Sequence, residues 1–344
     1  MNLKALSERL GLSQTTVSRA LNGYPEVGKK TRERVLKMAG ELNYKPNRFA
    51  KSLATGKTEH IGIIYSIENN LITPLFNEFL GGVTEQLAES GLDLSIIPTT
   101  AANELETYHN VINSGRADGL IISSPLWDDP RIEFLSETNT PFIVHGRTSN
   151  FEDKSFSFID VDNFGGFEKA TQLLIDMGHK NIALINGNEH LTFAFQRSQG
   201  YTSALQNAAL PVQKDLILSH LDMTEKNGYQ ATLKVLRQTP RPSAILVSSI
   251  ILALGTKRAI RELDLTLGED ISLITYDDCL PYLEASEFNP ALTTVQSSIR
   301  QAGFEITEHL HKIIQSNGQH TIQKIMDVDL IVRNSTSEVS AKLA

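Results

Sequence analysis

From residue 61 onward the chain repeats one arrangement: a short apolar run closes on polar residues, and a stretch with helical spacing follows. The runs are IGIIYS (61–66), LSIIPT (94–99), GLIISS (119–124), FIVHGR (142–147), IALING (182–187), AILVSS (244–249) and SLITYDD (272–278). Continuous apolar runs of this length, alternating with helices, predict strands buried on both faces of a parallel α/β sheet. Two series, starting at Ile61 and Ile182, predict two similar doubly wound subdomains over 60–337, with 338–344 left as a tail. Such sheets bind ligands beyond the carboxyl ends of their strands. Those ends carry Ser66, Ser123, Ser124, His145, Arg147, Asn186, Ser248, Ser249, Asp277 and Asp278. Any one of these alone is as well explained as a cap or turn residue. Together they supply donors and acceptors with few fixed charges and no phosphate loop, which suits a polyhydroxylated ligand.

The pattern before residue 60 differs. LKALSERL (3–10) has helical spacing with Leu3, Leu6 and Leu10 on one face, and it stops at Gly11. Ser13 stands where an N-cap belongs. The next helix, QTTVSRAL (14–21), turns Val17 and Leu21 inward and leaves Gln14, Thr15, Thr16, Ser18, Arg19 and the following Asn22 polar. Two short helices joined by a tight Gly-containing turn predict a helix-turn-helix, whose second helix reads base edges and phosphates in a major groove. A third helix follows in KKTRERVLKMAGELNY, with Val35, Leu36, Ala39 and Leu42 expected inside. The predicted order is therefore an all-α DNA-binding domain at 1–45, a hinge helix and linker at 46–59, and the two-lobed body. In the linker Pro46 breaks the preceding helix, and Phe49, Ala50, Leu53 and Ala54 oppose Asn47, Arg48 and Lys51. So short a segment is mostly unfolded alone; it would order if two copies met on DNA.

Charge sharpens this division. Residues 1–60 hold 12 Lys and Arg against 5 Asp and Glu, whereas the remainder holds 20 against 35, and the first Asp is Asp93. The overall −8 hides a basic head on an acidic body, the asymmetry expected of a DNA-binding arm. A single cysteine, Cys279, fits a reducing cytoplasm. Neither an apolar leader nor a membrane-length run is present, so no membrane partner is expected. CxxC, HExxH and His-rich clusters are missing; no metal and no cofactor are expected. As an enzyme the chain could offer only Cys279, His145 or the Asp277–Asp278 pair. Carboxylates adjacent in sequence do not make a general acid–base pair, and no nucleophile elbow or P-loop accompanies them, so no catalytic residue is expected.

These features resemble the LacI–GalR family of bacterial transcriptional repressors almost end to end. The strongest marks are GLSQTTVSRALNG (11–23), TRERVLKMAGELNYKPNRFAKSLATGKTEHIGII (31–64) and the later DGLIISSP, GH, RSQGY, LTTVQ and DLIVRNST. The resemblance implies a body like a periplasmic sugar-binding protein, and a homodimer on a palindromic operator in double-stranded DNA. Matching positions imply Gln14 and Thr15 as base readers. Thr16, Ser18, Arg19, Asn22, Tyr44 and Asn47 would hold phosphates or the groove edge, and Leu53 would enter the minor groove at the central base step. For the effector, Arg197 and Asp277 match the family's ligand-clamping Arg and Asp, and Phe76 matches an aromatic that packs on the ligand. SSI (248–250) and HGR (145–147) depart from the common Asn-Asp and Asp-Arg pairs, leaving Ser249, His145 and Arg147 to make different contacts beside Ser66. Ser7 stands where the family usually has Ala. The expected effector is a small sugar, with a disaccharide or α-glucoside favoured. Alternatives are a purine or protein co-repressor that strengthens DNA binding, or an activator. The short sequence after VRNST holds no heptad repeat, so a dimer is expected rather than a coiled-coil tetramer.

Overall fold

The computed structural model describes residues 2–44, 56–67, 74–148, 156–277 and 279–339. Asn47 and Leu53 of the expected DNA contacts, and Asp278 among the strand ends, lie outside the described residues. The chain divides into two compact units between Glu59 and His60.

In the first unit, α1 (Leu3–Leu10), α2 (Gln14–Leu21) and α3 (Lys29–Glu41) enclose a small core of Leu6, Leu10, Val17, Ala20, Val27, Val35 and Ala39. Gly11 ends α1 at φ 62°, and its N–H donates to the Glu8 and Ser7 carbonyls. A side chain at that φ would be strained, which is why the turn needs glycine. Ser13 caps α2 by accepting from the Thr16 N–H at 3.1 Å. Ser7 is buried, but its hydroxyl donates to the Lys4 carbonyl at 2.7 Å, so the unusual hydroxyl is satisfied within its own helix. Leu36 departs from expectation. It is 50% exposed, because Val35 and Ala39 already fill the inner face of α3.

The second unit holds two six-stranded sheets. Its strands are β1 (His60–Ser66), β2 (Asp93–Thr99), β3 (Gly119–Ser123), β4 (Phe142–His145), β5 (Ser157–Val161), β6 (Ile182–Ile185), β7 (Ile217–Leu218), β8 (Ala244–Val247), β9 (Ser272–Tyr276), the hairpin β10 (Cys279–Leu280) with β11 (Leu283–Glu284), β12 (Thr293–Gln296), β13 (Gln323–Met326) and β14 (Asp329–Ile331). The first sheet runs β13-β5-β4-β3-β1-β2 with every pair parallel; the second runs β14-β12-β9-β8-β6-β7, with only β14 antiparallel. Strand order reverses between β1 and β3 in one sheet and between β6 and β8 in the other, so both sheets open a crevice at equivalent places. Helices α4 (Pro74–Ser90), α5 (Glu104–Asn113), α6 (Pro130–Ser136), α7 (Asn163–Asp176), α8 (Thr192–Asn207), α9 (Glu225–Leu236), α10 (Ile250–Glu262) and α11 (Ile299–Gln315) cover the faces.

The lobes are similar but not consecutive. The chain passes from first to second lobe between β5 and α7, returns between β12 and α11, and crosses again between β13 and β14. The second lobe's strands do begin at Ile182, but its first helix begins earlier, at Asn163, and 299–326 belongs to the first lobe. The tail is also shorter than expected, since the Val339 N–H donates to the Met177 carbonyl at 2.9 Å. The lobes also meet without a covalent link. The Trp127 N–H donates to the His190 carbonyl, the Thr192 N–H donates to the Pro125 carbonyl, and Trp127 packs on Phe195 at 4.4 Å. Among the described residues no helix is long and apolar enough to cross a membrane.

Candidate functional sites

On the helical unit, Gln14, Thr15, Arg19 and Asn22 are exposed along one side of α2. Thr16 is half-buried and its hydroxyl lies 2.8 Å from that of Ser13, so it helps cap the helix as well as facing outward. Ser18 is half-buried, and its carbonyl accepts from the Asn22 amide at 2.9 Å. Tyr44 packs against the three-helix core, and burial raises its pKa. Four of the expected contacts thus share an open polar surface, while Tyr44 is partly drawn inward.

In the body, Ser66, His145, Arg147, Ser249 and Asp277 stand at or just beyond the carboxyl ends of strands, whereas Phe76 and Arg197 come from helices. Arg197, on the inner side of α8, is the centre of the second lobe's half. Its Nε donates to Asn163 Oδ1 at 2.8 Å and its Nη1 donates to the Ser248 carbonyl at 2.7 Å. Its guanidinium sits 3.6 Å from the Tyr276 ring centroid, with the Phe193 and Phe167 rings at 5.0 and 5.3 Å. An arginine so placed is rigid. Asp277 follows β9 at φ 74°, a strained conformation for a residue other than glycine. It is 5% exposed, and its Oδ2 is buried with no hydrogen-bond partner. Burial pushes its carboxyl up to about 6 against the pull of Arg197.

The first lobe supplies the facing half. Ser66 and Ser123, ending β1 and β3, each hold a buried hydroxyl with no partner. His145 ends β4 and stacks on Phe79 at 4.7 Å; burial lowers it to about 4, so its ring is neutral near pH 7. Phe76 stacks on Tyr65 at 5.7 Å beside the first-lobe core. Ser249 is committed differently. Its hydroxyl accepts from the Ile251 N–H and caps α10, which uses one of its two acceptor positions. Ser248 donates to Asn186 Oδ1, and the Asn186 amide donates to the Ala194 carbonyl, so these two brace the cleft wall.

Three residues escaped the sequence reading. Asp160, near the end of β5, is 5% exposed and lies beside Arg147. Asn163 orients Arg197 while its amide donates to the Val161 carbonyl at 3.1 Å, binding the crossing strand to the clamp. Gln196 keeps a buried, partnerless Oε1 next to Arg197. The signal for Asp160 and Asn163 was present in SFIDVDN (157–163), a short apolar run closing on polar residues.

A helical head with an exposed polar recognition face, and a body whose two lobes enclose unsatisfied buried donors and acceptors, define a DNA-reading regulator with a sensor for a small molecule. Comparison with known proteins makes the class particular. Residues 3–47 match the bacterial regulatory proteins of the lacI family, and residues 58–334 match the periplasmic binding proteins and sugar binding domain of LacI family. The HTH-type transcriptional regulator AglR of Rhizobium meliloti (strain 1021) is 44% identical over 98% of this chain and 94% of its own length. RafR of Escherichia coli is 34% identical over 94% and 95%. The lac repressor dimer bound to operator and the anti-inducer ONPF superposes with TM-score 0.83 at 28% identity, covering 98% of this chain and 99% of its own. The transcriptional regulator CelR in complex with cellobiose gives TM-score 0.73 at 28% identity, covering 97% and 99%. The chain belongs to the LacI family and is a DNA-binding transcriptional regulator with a sugar-binding type of body.

Proposed function

We propose that the protein is a cytoplasmic, homodimeric repressor, without catalytic activity, that leaves a palindromic operator when a small sugar occupies the cleft. A disaccharide or α-glucoside suits the cleft best. The observation that carries this is Asp277. A buried carboxylate oxygen with no partner is costly, and one beside a rigid arginine is a seat for the neighbouring hydroxyls of a sugar. The cellobiose held by the structurally similar CelR supports a ligand of that size. Release of DNA follows if the sugar binds the DNA-free arrangement more tightly than the DNA-bound one. Gln14 and Thr15 are the proposed base readers and Arg19 a phosphate contact, with Leu53 as the minor-groove wedge.

The experiment is operator titration of Arg197→Ala and Asp277→Ala with and without the sugar that raises the melting temperature of the native protein most. Both variants should hold the operator within about twofold of the native affinity, and neither should release it. A variant released at the native sugar concentration would place the pocket elsewhere. A sugar that tightens operator binding would make the protein a co-repressed regulator.

A further inference from the structure

The first lobe contains a buried carboxylate, Asp160, one of whose oxygens has no hydrogen-bond partner. Asp129 shows what a structural carboxylate in this lobe looks like. Its oxygens accept from the Leu126 and Arg131 N–H groups and from the Arg131 guanidinium, at 2.6–3.0 Å for the closest contacts. Burial works to raise its pKa, yet Arg131 and the backbone donors hold it below its ordinary value. Asp160 is as deeply buried but is not satisfied in this way. Its Oδ2 lies 2.8 Å from Arg147 Nε, an ion pair with side chains 7% and 12% exposed, but the approach does not have hydrogen-bond geometry and Oδ2 keeps its acceptor capacity. Burial raises Asp160 to about 6, with Arg147, a hydrogen bond from the Val161 N–H and then Arg197 of the other lobe pulling against it. The carboxylate is therefore within electrostatic reach of the second-lobe clamp, at the end of a strand that leads straight into a crossing.

Each lobe thus ends one strand on a buried aspartate with an unsatisfied outer oxygen and an arginine nearby: Asp160 with Arg147, and Asp277 with Arg197. We infer that Asp160 contacts the effector, with Arg147 as its partner, and that this first-lobe clamp takes the hydroxyls of a second sugar unit while Arg197 and Asp277 hold the first. Ser66 and Ser123, whose hydroxyls are also unsatisfied, supply further donors on the same side. The inference rests on the reading that the cleft binds a sugar. It goes beyond that reading by assigning a residue that decides between one ring and two.

The test is calorimetric titration of the full chain, native and Asp160→Asn, with maltose, cellobiose, melibiose, glucose and galactose. Losing a charged hydrogen-bond acceptor should weaken the best disaccharide by about tenfold or more. Glucose and galactose should change less than about twofold, while Asp277→Asn weakens mono- and disaccharides alike. If Asp160→Asn binds every sugar as the native protein does, or loses mono- and disaccharides equally, the assignment is overturned. If it does not fold, Arg147→Gln takes its place with the same expected selectivity. A native protein that binds none of the five sugars would overturn the sugar reading itself, and this inference with it.

Discussion

Asp277 and Asp160 carry a consequence in their protonation. Each has an ordinary value of 3.8 and is raised to about 6 in the fold by burial. Between those values the folded state binds more protons than the unfolded chain, so stability falls as pH rises from 3.8 and the loss is complete above 6. Roughly two pH units correspond to about 3 kcal/mol for each ionised, unliganded aspartate. At pH 8, Asp277→Asn should therefore melt several degrees higher than the native protein without sugar, and the advantage should vanish near pH 4. A lower melting temperature at pH 8 would show that the carboxylate is satisfied in the free protein. Sugar hydroxyls donate to the ionised form, so sugar affinity should rise as pH increases through about 6 and then level off.

On the DNA-reading helix the outward residues divide by position. Gln14 and Thr15 stand at the start of α2 and Arg19 stands in its last turn. Gln14→Ala and Thr15→Ala should each cost about 1–3 kcal/mol at particular operator bases, whereas Arg19→Ala should weaken all sequences alike and flatten the salt dependence. Selection from random duplexes distinguishes the two behaviours; unchanged base preference in both reader variants would refute the assignment.

At the scale of elements, the packing of α7 on α8 sets where Arg197 points. Gly200 is the residue that lets them touch: a Cβ there would lie 2.2 Å from the Phe164 carbonyl oxygen, a backbone atom that cannot swing away. Gly200→Ala should cost about 1–3 kcal/mol by overpacking. It should also disturb the 2.8 Å Asn163–Arg197 bond and weaken sugar binding, with operator affinity kept. Native stability and native sugar affinity in that variant, by thermal melt and titration, would mean the helices relax freely. Elements of this kind were readable from the chain where apolar runs were long and closed on polar residues. Each of the seven runs holds a strand. SFIDV, whose apolar run is interrupted by Asp160, did not stand out, and QKIM, an edge strand with alternating exposure, reads as a helix end. The cleft was partly legible for the same reason: strand ends can be placed from sequence, so Ser66, His145 and Asp277 could be placed too, whereas Arg197 lies within helix α8 and was legible only through the family resemblance. What sequence could not show was commitment. Ser249 looks like Ser66 on paper, but one caps a helix and the other is left unsatisfied.

At the scale of the body, the lobes are joined by three chain crossings, by the Trp127–Phe195 contact with its two backbone hydrogen bonds, and by Leu75 of α4 packed on the second-lobe core. Crossings bend while keeping the lobes together; the Trp127–Phe195 seam has no covalent link and must give way if the lobes rotate about it. Trp127 is the chain's single tryptophan and is 38% exposed, so its emission reports that seam alone. Saturating sugar should shift its intensity or wavelength, and Phe195→Ala should change sugar affinity through the seam while Arg197 remains intact. Emission unchanged at saturation would mean that the seam stays shut while the ligand binds.

The crossings also dictate an order of birth. The first lobe's sheet is not finished until Gln323–Met326 arrives, and the second lobe's not until Asp329–Ile331. A chain emerging from the ribosome can complete the three helices of its head as soon as about forty-five residues are free, because among the described residues that core uses none after Tyr44. Both halves of the sensor must wait for nearly the last segment made. Every newly synthesised copy therefore possesses its reader of DNA before it possesses the means to be told to let go.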